Sequence, residues 1–303
     1  MWDTLLDSSI LFSFDRTGFK RHCKEPLAPL NLKGKVALIT GASKGIGRAL
    51  TQSLSSSQAR CHAIARNETA LQQAFSPSAQ VQVHKLDLSH LKGVYEFAST
   101  FPENIDILVH NAGFLSPTVH LTQENNEAGF ATQVFAPFIL TKVLADAKKL
   151  NPGCKILFVS SGGMYLKKLN LSDLTYHHTT YQRYGAYANA KRAQVILAEL
   201  FAKYYPDYIT SSMHPGWVDT PGVHVSMPWF YKFMGKRLRT PEEGADTLLW
   251  LIQKTDYPSG KFWFDRKEAP STLFGLYEPI SEDKEALWKL CLDQYLQLNT
   301  QRS

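Results

Sequence analysis

The stretch Thr40-Gly41-Ala42-Ser43-Lys44-Gly45-Ile46-Gly47 joins a short apolar run, residues 36–40, to the start of a helical pattern. Three glycines in such a turn let the chain bend sharply, approach a pyrophosphate with its backbone, and pack the helix close to the strand. The first turn of the helix then offers free N–H groups and the positive end of its dipole to an anion. Glycines also mark plain turns, but a position between a first strand and a first helix favours a dinucleotide-binding turn.

Strand-like and helix-like patterns alternate along the rest of the chain. Several of the short apolar runs are nearly continuous in apolar residues, as expected of strands buried on both faces. The predicted strands are residues 36–40, 61–65, 81–86, 105–110, 155–160, 209–214 and 261–264. The predicted helices are residues 46–54, 93–100, 130–150, 187–205 and 242–253. This alternation predicts an α/β fold, a single-domain, Rossmann-type, doubly wound parallel sheet with helices on both faces.

Composition narrows the classes of function. The chain has 303 residues and a formal net charge of +6, with 44% apolar and 20% charged residues, which is ordinary for a soluble globular protein. Its basic residues are scattered, so no nucleic acid is expected as a partner. The four cysteines lie far apart and predict reduced thiols in a cytoplasmic location. No histidine has the spacing of a metal ligand, so no metal site is predicted.

The first 33 residues are predicted to form an N-terminal amphipathic extension and linker. A catalytic domain follows over residues 34–303, with substrate-side segments towards its C-terminus. Apolar residues recur every four positions at Trp2, Leu6, Ile10 and Phe14, a period typical of an amphipathic helix. Basic residues follow at Arg16, Lys20, Arg21 and Lys24. Two interpretations stay open: peripheral membrane contact through residues 1–24, which would make the protein membrane-associated, and packing on the domain.

The end of the second predicted strand bears on the choice of cofactor. Sites for NAD place an acidic residue there to hold the ribose 2′-hydroxyl. This chain reads Ala65-Arg66-Asn67, with no carboxylate before Glu68. The guanidinium of Arg66 suits a 2′-phosphate, and Lys44 in the glycine turn would add a second positive charge. The alternative is that both are solvated surface cations, but the pattern favours NADP(H) over NAD(H).

Tyr187 and Lys191 carry the predicted chemistry. They are four residues apart on a predicted helix, so both side chains project from one face. A free phenol has a pKa of about 10, and a nearby ammonium favours the phenolate. Lys191 is therefore expected to lower the pKa of Tyr187 and let it act as a general acid and base. Tyr181 and Tyr184 have no lysine four residues on.

These motifs together resemble the short-chain dehydrogenase/reductase superfamily over residues 32–264. The other matching motifs are Asp87 after the third strand, Asn111-Ala112-Gly113 after the fourth, Ser160-Ser161 after the fifth, and Pro215-Gly216 with Thr220 after the sixth. The segments 159–164, 212–217 and 258–261 with 265–267 narrow the resemblance to one subgroup and its bacterial relatives.

The resemblance implies a role for each residue of the site. Ser161 would hydrogen-bond the substrate carbonyl, Tyr187 would donate the proton, and Lys191 would also hold the nicotinamide ribose. The implied cofactor-binding residues are Gly41, Ser43, Lys44, Gly45, Ile46, Gly47, Arg66, Asp87, Leu88, Asn111, Ala112, Gly113, Tyr187, Lys191, Pro215, Gly216, Val218 and Thr220. Gln133 stands where the family usually has an Asn that positions a water molecule, and it is the fourth catalytic candidate. Ser160 is expected to face the scaffold, because adjacent residues at a strand end point to opposite sides.

The predicted function is an NADP(H)-dependent oxidoreductase that interconverts an alcohol and an aldehyde or ketone. The aromatic residues at 229–233 predict either a lid over a small apolar substrate or a helix packed in the core, and residues 162–186 predict a second wall. The alternatives are a catalytically weak dinucleotide-binding sensor or scaffold on the same fold, and an epimerase or dehydratase. An oligomer is compatible with the sequence.

Overall fold

Strand β1 (Val36–Thr40) is an inner strand of the sheet, and its side chains alternate between two hydrophobic cores. Leu38 belongs to one core and Ile39 to the other, and both are fully buried. This is the burial expected of a strand covered by helices on both faces. The computed structural model describes residues 13–76, 78–226, 228–273 and 275–300.

The sheet has eight strands in the order β3-β2-β1-β4-β5-β6-β7-β8, and only the β7–β8 pair is antiparallel. The strands after β1 are β2 (Arg60–Ala65), β3 (Val81–Lys85), β4 (Ile105–His110), β5 (Leu150–Val159), β6 (Ile209–His214), β7 (Lys261–Phe264) and β8 (Lys267–Glu268). The doubly wound fold and its seven predicted strands are confirmed. The structure adds β8 and begins β5 at Leu150 instead of residue 155.

Helices cover both faces of this sheet. They are α1 (Arg16–His22), α2 (Gly45–Ser56), α3 (Glu68–Phe75), α4 (Leu91–Ser99), α5 (Ala128–Asp146), α6 (Arg183–Tyr204), α7 (Pro221–Ser226), α8 (Pro228–Met234), α9 (Pro241–Gln253) and α10 (Ser281–Thr300). Buried residues of α4, α5, α6 and α10 form the core on one face, and those of α2, α3 and α9 form the core on the other. Helix α3 was missed because it is short, and its start depends on the Asn67 side chain, which accepts from Ala70 N.

Helix α5 ends earlier than predicted and contains an irregular turn. The prediction that it continues to residue 150 is wrong, because it ends at Asp146. Lys148 adopts a left-handed conformation with φ +54°, and the N–H groups of Lys148 and Lys149 donate back to carbonyls at the end of α5. This pattern closes many helices. Within α5, Ala131–Phe135 form a π-helical turn, a feature often found at functional sites.

Helix α5 is also the one helix of the described residues that is long and apolar enough to cross a membrane. Its most apolar window is 83% buried inside the protein. Its side chains pack in the core that also contains residues of α4 and α6. The apolar composition of α5 is therefore explained by its place in the core.

Both ends of the described chain pack on the domain. Helix α10 buries Leu287, Cys291 and Leu298 in the core shared with α4, α5 and α6. At the other end, Phe14 is buried in a smaller cluster with Met164 and Phe262. The predicted amphipathic helix falls largely on residues 1–12, outside the described residues.

Candidate active site

A cavity of about 430 Å³ opens at the carboxyl ends of β1, β4, β5 and β6. The order of strands reverses between β1 and β4, and open α/β sheets bind ligands at such a point. All the predicted site residues except Gly47 and Gln133 line this cavity. The other lining residues are Ala65, Asn67, Leu86, Phe114, Leu115, Thr132, Val159, Ser160, Tyr184, Trp217, Pro221, Gly222, Val223, Phe230 and Leu238.

The glycine turn fits a pyrophosphate. Gly41 and Gly45 have φ +68° and +55°, conformations that residues with a side chain rarely adopt. A Cβ atom at Gly41 would lie 2.8 Å from Ala112 Cα, so only glycine leaves this part of the cradle open. Lys44 precedes α2 without capping it by its side chain, so the first N–H groups of α2 remain available to an anion.

Asn111 locks this turn to the neighbouring strand. Its Nδ2 donates to the carbonyl oxygens of Thr40 and Gly41, at 2.9 and 3.2 Å. Thr40 Oγ1 in turn accepts from the backbone N–H groups of Asn111 and Ala112. Gly47 serves the same packing, because a Cβ there would lie 2.4 Å from both Gly41 O and Asn111 Nδ2. Gly47 therefore supports the turn without lining the cavity.

Arg66 and Asp87 mark the end of the cavity where the adenosine half would lie. The guanidinium of Arg66 is 5.6 Å from the centre of the Phe114 ring, within the range of a cation–π contact. Asp87 accepts from Ser89 N and Ser89 Oγ, which fixes the turn after β3. Glu68, the first carboxylate after β2, is not among the residues that line the cavity.

Ser161, Tyr187 and Lys191 meet at the other end of the cavity. Ser161 follows β5, and its hydroxyl lies close enough to the phenol of Tyr187 to lower the pKa of that group. Tyr187 and Lys191 lie on α6, and Lys191 Nζ is 5.5 Å from the centre of the Tyr187 ring. Lys191 Nζ donates to Val159 O at 2.8 Å and to Gln194 Oε1 at 3.0 Å. The three predicted catalytic side chains are therefore brought together.

Burial sets the pKa values of this pair, and the net shift in the pKa of Tyr187 is upward instead of the predicted downward one. Desolvation raises the pKa of Tyr187, and only the interaction with Ser161 opposes this rise. The same burial lowers the pKa of Lys191 to about 7. Each shift favours the neutral form, as desolvation does. At neutral pH, Tyr187 therefore keeps its proton and Lys191 is about half protonated.

Comparison with known proteins agrees with this geometry. Residues 35–229 match the family model described as short chain dehydrogenase. The chain belongs to this family. Dehydrogenase/reductase SDR family member 12 of Bos taurus is 34% identical over 278 residues, which cover 87% of each chain. Retinol dehydrogenase 11 of Mus musculus is 29% identical over 279 residues, with the same coverage. A crystal structure of an uncharacterized protein from Mycobacterium Paratuberculosis has the same fold, with a TM-score of 0.72 at 23% identity over 89% of this chain and 95% of that one.

Family membership confirms the oxidoreductase class and a fold that binds a nicotinamide dinucleotide. The subgroup indicated by residues 159–164, 212–217 and 258–261 with 265–267 is that of dehydrogenase/reductase SDR family member 12, and this resemblance is confirmed too. The glycine turn and the available N–H groups of α2 fit such a cofactor. Ser160 has the orientation predicted for it, because its Oγ donates to Lys191 O at 2.9 Å inside the protein.

Gln133, at the position where the family usually has Asn, lies beside Lys191 outside the cavity wall. It sits on the π-helical turn of α5 and is almost fully buried. Its Nε2 donates to Gly129 O at 3.1 Å, while its Oε1 has no partner. A Cβ atom at Gly113 would be 2.8 Å from Gln133 Oε1 and 3.3 Å from Lys191 Nζ, so both atoms lie close to Gly113. An unpartnered acceptor therefore lies next to the lysine.

The substrate end of the cavity is mostly aromatic and aliphatic. Trp217, Phe230 and Leu238 form one side, and Tyr184 comes from the predicted second wall. Helix α8 has no buried residue among those described, so the prediction of a core helix at residues 229–233 is wrong and the lid interpretation fits. The sequence predicts that segments towards the C-terminus contribute to the substrate side. Among the described residues, none after Leu238 lines the cavity.

Several lining residues were missed from the sequence. Trp217 follows the Pro215-Gly216 turn directly, and Phe114 follows Asn111-Ala112-Gly113, so adjacency to a motif could have identified both. Thr132 gave no such signal, because it reaches the cavity through the π-helical turn.

Proposed function

We propose that this protein is an NADP(H)-dependent oxidoreductase that interconverts an alcohol and an aldehyde or ketone on a small apolar substrate. The neighbouring positions of Ser161 and Tyr187 carry the proposal, because they bring a proton donor and an oxygen-binding group together in one cavity. The glycine turn at the other end fits a pyrophosphate. Aromatic and aliphatic side chains line the same cavity as Ser161 and Tyr187, which favours an apolar substrate.

In the direction of reduction, Tyr187 donates its proton to the substrate oxygen. Burial raises its pKa, so the phenol is fully protonated at neutral pH and ready to donate. Ser161 donates a hydrogen bond to the same oxygen and stabilises the charge that develops there. The reduced nicotinamide, when bound, supplies the hydride. Lys191 in its ammonium form stabilises the phenolate left on Tyr187, and Gln133 Oε1 accepts from a water molecule that returns the proton.

The mechanism is tested by Tyr187→Phe, with Tyr181→Phe as the matched control. Tyr181 lies just before α6, its hydroxyl donates to Ser116 O, and its side chain does not line the cavity. A screen follows NADPH oxidation with a panel of apolar aldehydes and ketones. Tyr187→Phe is expected to lower kcat on the order of 10²- to 10⁴-fold while leaving NADPH binding nearly intact. Turnover retained in Tyr187→Phe would sink the mechanism.

The preference for NADP(H) rests on Arg66 and Lys44, with no carboxylate lining the cavity at the end of β2. Arg66→Asp is expected to weaken NADPH binding by roughly ten- to a hundredfold and to shift preference to NADH, because a charge-assisted contact is worth about 1.5–3 kcal/mol. Arg48→Asp changes the charge equally on the exposed face of α2, outside the cavity, and serves as the control. An unchanged ratio of the two affinities in Arg66→Asp would refute the assignment.

The screen of NADPH oxidation with aldehydes and ketones also distinguishes the enzyme from the alternative, a catalytically weak dinucleotide-binding sensor. It predicts tight NADPH binding without turnover of any carbonyl, with Gln133 as the residue that departs from the family pattern. The positions of Ser161, Tyr187 and Lys191 side by side in one cavity favour the enzyme.

We also propose peripheral membrane contact on the lid side of the molecule. Trp229 and Phe233 lie four residues apart on α8 and are 64% and 78% exposed, with Lys232 and Lys236 exposed beside them. Aromatic residues with a basic rim suit a membrane interface. Flotation with vesicles containing anionic lipid is expected to recover the protein, and Trp229→Ser with Phe233→Ser to abolish recovery. Equal recovery of both proteins would contradict the proposal.

A further inference from the structure

Residues 13–22, which we call the N-terminal clamp, form part of the wall behind the substrate end of the cavity. The N–H of Trp217, a cavity residue, donates to Phe14 O at 2.8 Å. The ring of Phe14 is 8% exposed and packs edge-on against Trp217, His214 and Phe264, at 5.9, 4.3 and 5.1 Å between ring centres. The clamp therefore contacts the cavity wall through both its backbone and a buried ring.

Arg239 joins the N-terminal clamp to the domain. It is 1% exposed, and its guanidinium lies about 5 Å from the centres of the Phe19 and Phe264 rings. Its hydrogen-bond acceptors are the carbonyl oxygens of Ser13, Phe14, Asp15 and Pro215 and the carboxylate of Asp265. His22, at the end of α1, contacts the same carboxylate, with 2.7 Å between His22 Nδ1 and Asp265 Oδ2. A buried cation is thus paired and satisfied by groups from both parts of the chain.

The same guanidinium supports the loop after β6, which lines the cavity. Gly216 has φ +78°, and a Cβ atom there would lie 2.2 Å from Arg239 Nε, so the guanidinium packs directly on this glycine. The backbone of Arg239 also pairs with this loop. Its N–H donates to Trp217 O, and Asp219 N donates to its carbonyl oxygen. Movement of Arg239 would therefore displace the Pro215–Trp217 turn.

Asp15 connects the N-terminal clamp to the lid. It is fully buried, its Oδ1 accepts from Gly18 N at the start of α1, and its Oδ2 accepts from Arg237 Nε at 2.8 Å. Arg237 lies just after α8. On the lid itself, Phe230 packs edge-on against Trp217 at 5.2 Å between ring centres. Contacts therefore run without a break from Phe14 through Trp217 to Phe230.

We infer that the N-terminal clamp positions the substrate wall and the lid, with Phe14, Asp15 and Arg239 as positioning residues. This role belongs to a segment that precedes the dinucleotide-binding turn in the chain. The kinetic test of the inference rests on the proposed function. It predicts that weakening the clamp raises KM for the carbonyl substrate and loosens α8, without an equal effect on NADPH binding at the glycine turn.

The main variant is Phe14→Ala in the full chain, with Phe75→Ala as the matched control. Phe75, at the end of α3, is 7% exposed. It lies in the core formed by α2, α3 and α9 and does not line the cavity. Both changes remove the same buried ring, so they separate loss of stability from loss of position. Phe14→Ala is expected to raise KM for the carbonyl on the order of tenfold or more, since small displacements of a substrate wall are costly, whereas Phe75→Ala leaves KM within about twofold.

A second readout does not need activity. Limited trypsin digestion with mass spectrometry follows cleavage after Lys232 and Lys236 on the lid, and after Lys289 on α10 as an internal reference. Phe14→Ala is expected to speed lid cleavage on the order of tenfold relative to Lys289. If the native protein turns over no carbonyl, the proposed function fails and the digestion still decides the inference. Equal lid cleavage in Phe14→Ala and Phe75→Ala would overturn it.

Asp15→Asn keeps the inference testable if Phe14→Ala does not fold. An amide oxygen still accepts from Gly18 N, but the ion pair with Arg237 is lost. Faster cleavage after Lys232 and Lys236 is expected, with NADPH affinity unchanged. Lid cleavage at the native rate in Asp15→Asn would count against the clamp.

Discussion

The rate of reduction should fall as pH rises through 7, because burial lowers the pKa of Lys191 to about 7. The ammonium form is the one that stabilises a phenolate on Tyr187 and donates through all three protons. For a group of this pKa, the protonated fraction falls from about nine-tenths at pH 6 to about one-tenth at pH 8. We therefore expect kcat/KM for reduction to fall about tenfold over this interval.

The assay follows NADPH oxidation and determines kcat/KM for the carbonyl at saturating NADPH, because this parameter reports ionisations of the enzyme form that binds the carbonyl. Tyr187 adds no second decline in this range, since burial raises its pKa above the usual 10. A profile that is flat or rising between pH 6 and pH 8 would refute the assignment to Lys191.

Protein stability provides the control, because Lys191 affects it in the opposite direction. Its pKa in the folded protein lies below the usual value of 10.5, so between these two values the unfolded chain binds more protons. The contribution of Lys191 to the free energy of unfolding therefore rises with pH across that window. The rate should fall while the contribution of this lysine to stability increases, so a loss of rate between pH 7 and pH 8 is not explained by its effect on folding.

Two glycine substitutions test the cradle and the proton route. Gly41→Ala should lower the free energy of unfolding by about 1–2 kcal/mol or more and weaken NADPH binding, because alanine must adopt φ +68° and place Cβ 2.8 Å from Ala112 Cα. Thermal unfolding and fluorescence titration measure the two effects, and native-like NADPH affinity would contradict the role of the turn. Gly113→Ala should lower kcat more than cofactor affinity, because its methyl would press on Gln133 Oε1 and Lys191 Nζ. A change in Kd with kcat unaltered would argue against a proton route at this point.

The parts of the site that depend on local geometry could be predicted from the sequence. The glycine turn was found because positive φ values at Gly41 and Gly45 are a property of that short stretch. Tyr187 and Lys191 were paired because four residues along a helix define a face. The strands were found because burial on both faces leaves nearly continuous apolar runs.

The parts that depend on distant packing could not be predicted. The raised pKa of Tyr187 follows from how completely other segments bury it, and its spacing from Lys191 carries no information on that. Arg239 stands in a basic stretch, Lys236-Arg237-Leu238-Arg239, that resembles an exposed face. Its acceptors come from residues 13–15, 215 and 265, so only the folded chain shows that it is buried.

The order of the two pKa values in the site also decides the direction of proton movement after each turnover. Once Tyr187 has given its proton away, its phenolate is a far stronger base than Lys191, whose pKa is about 7 while that of Tyr187 lies above 10. Transfer of a proton from the ammonium towards the phenolate is therefore downhill. Lys191 must then recover a proton from water, and the unpartnered Oε1 of Gln133 lies beside it. Burial, which opposes the expected lowering of the pKa of Tyr187, thus makes the lysine the natural source of its next proton.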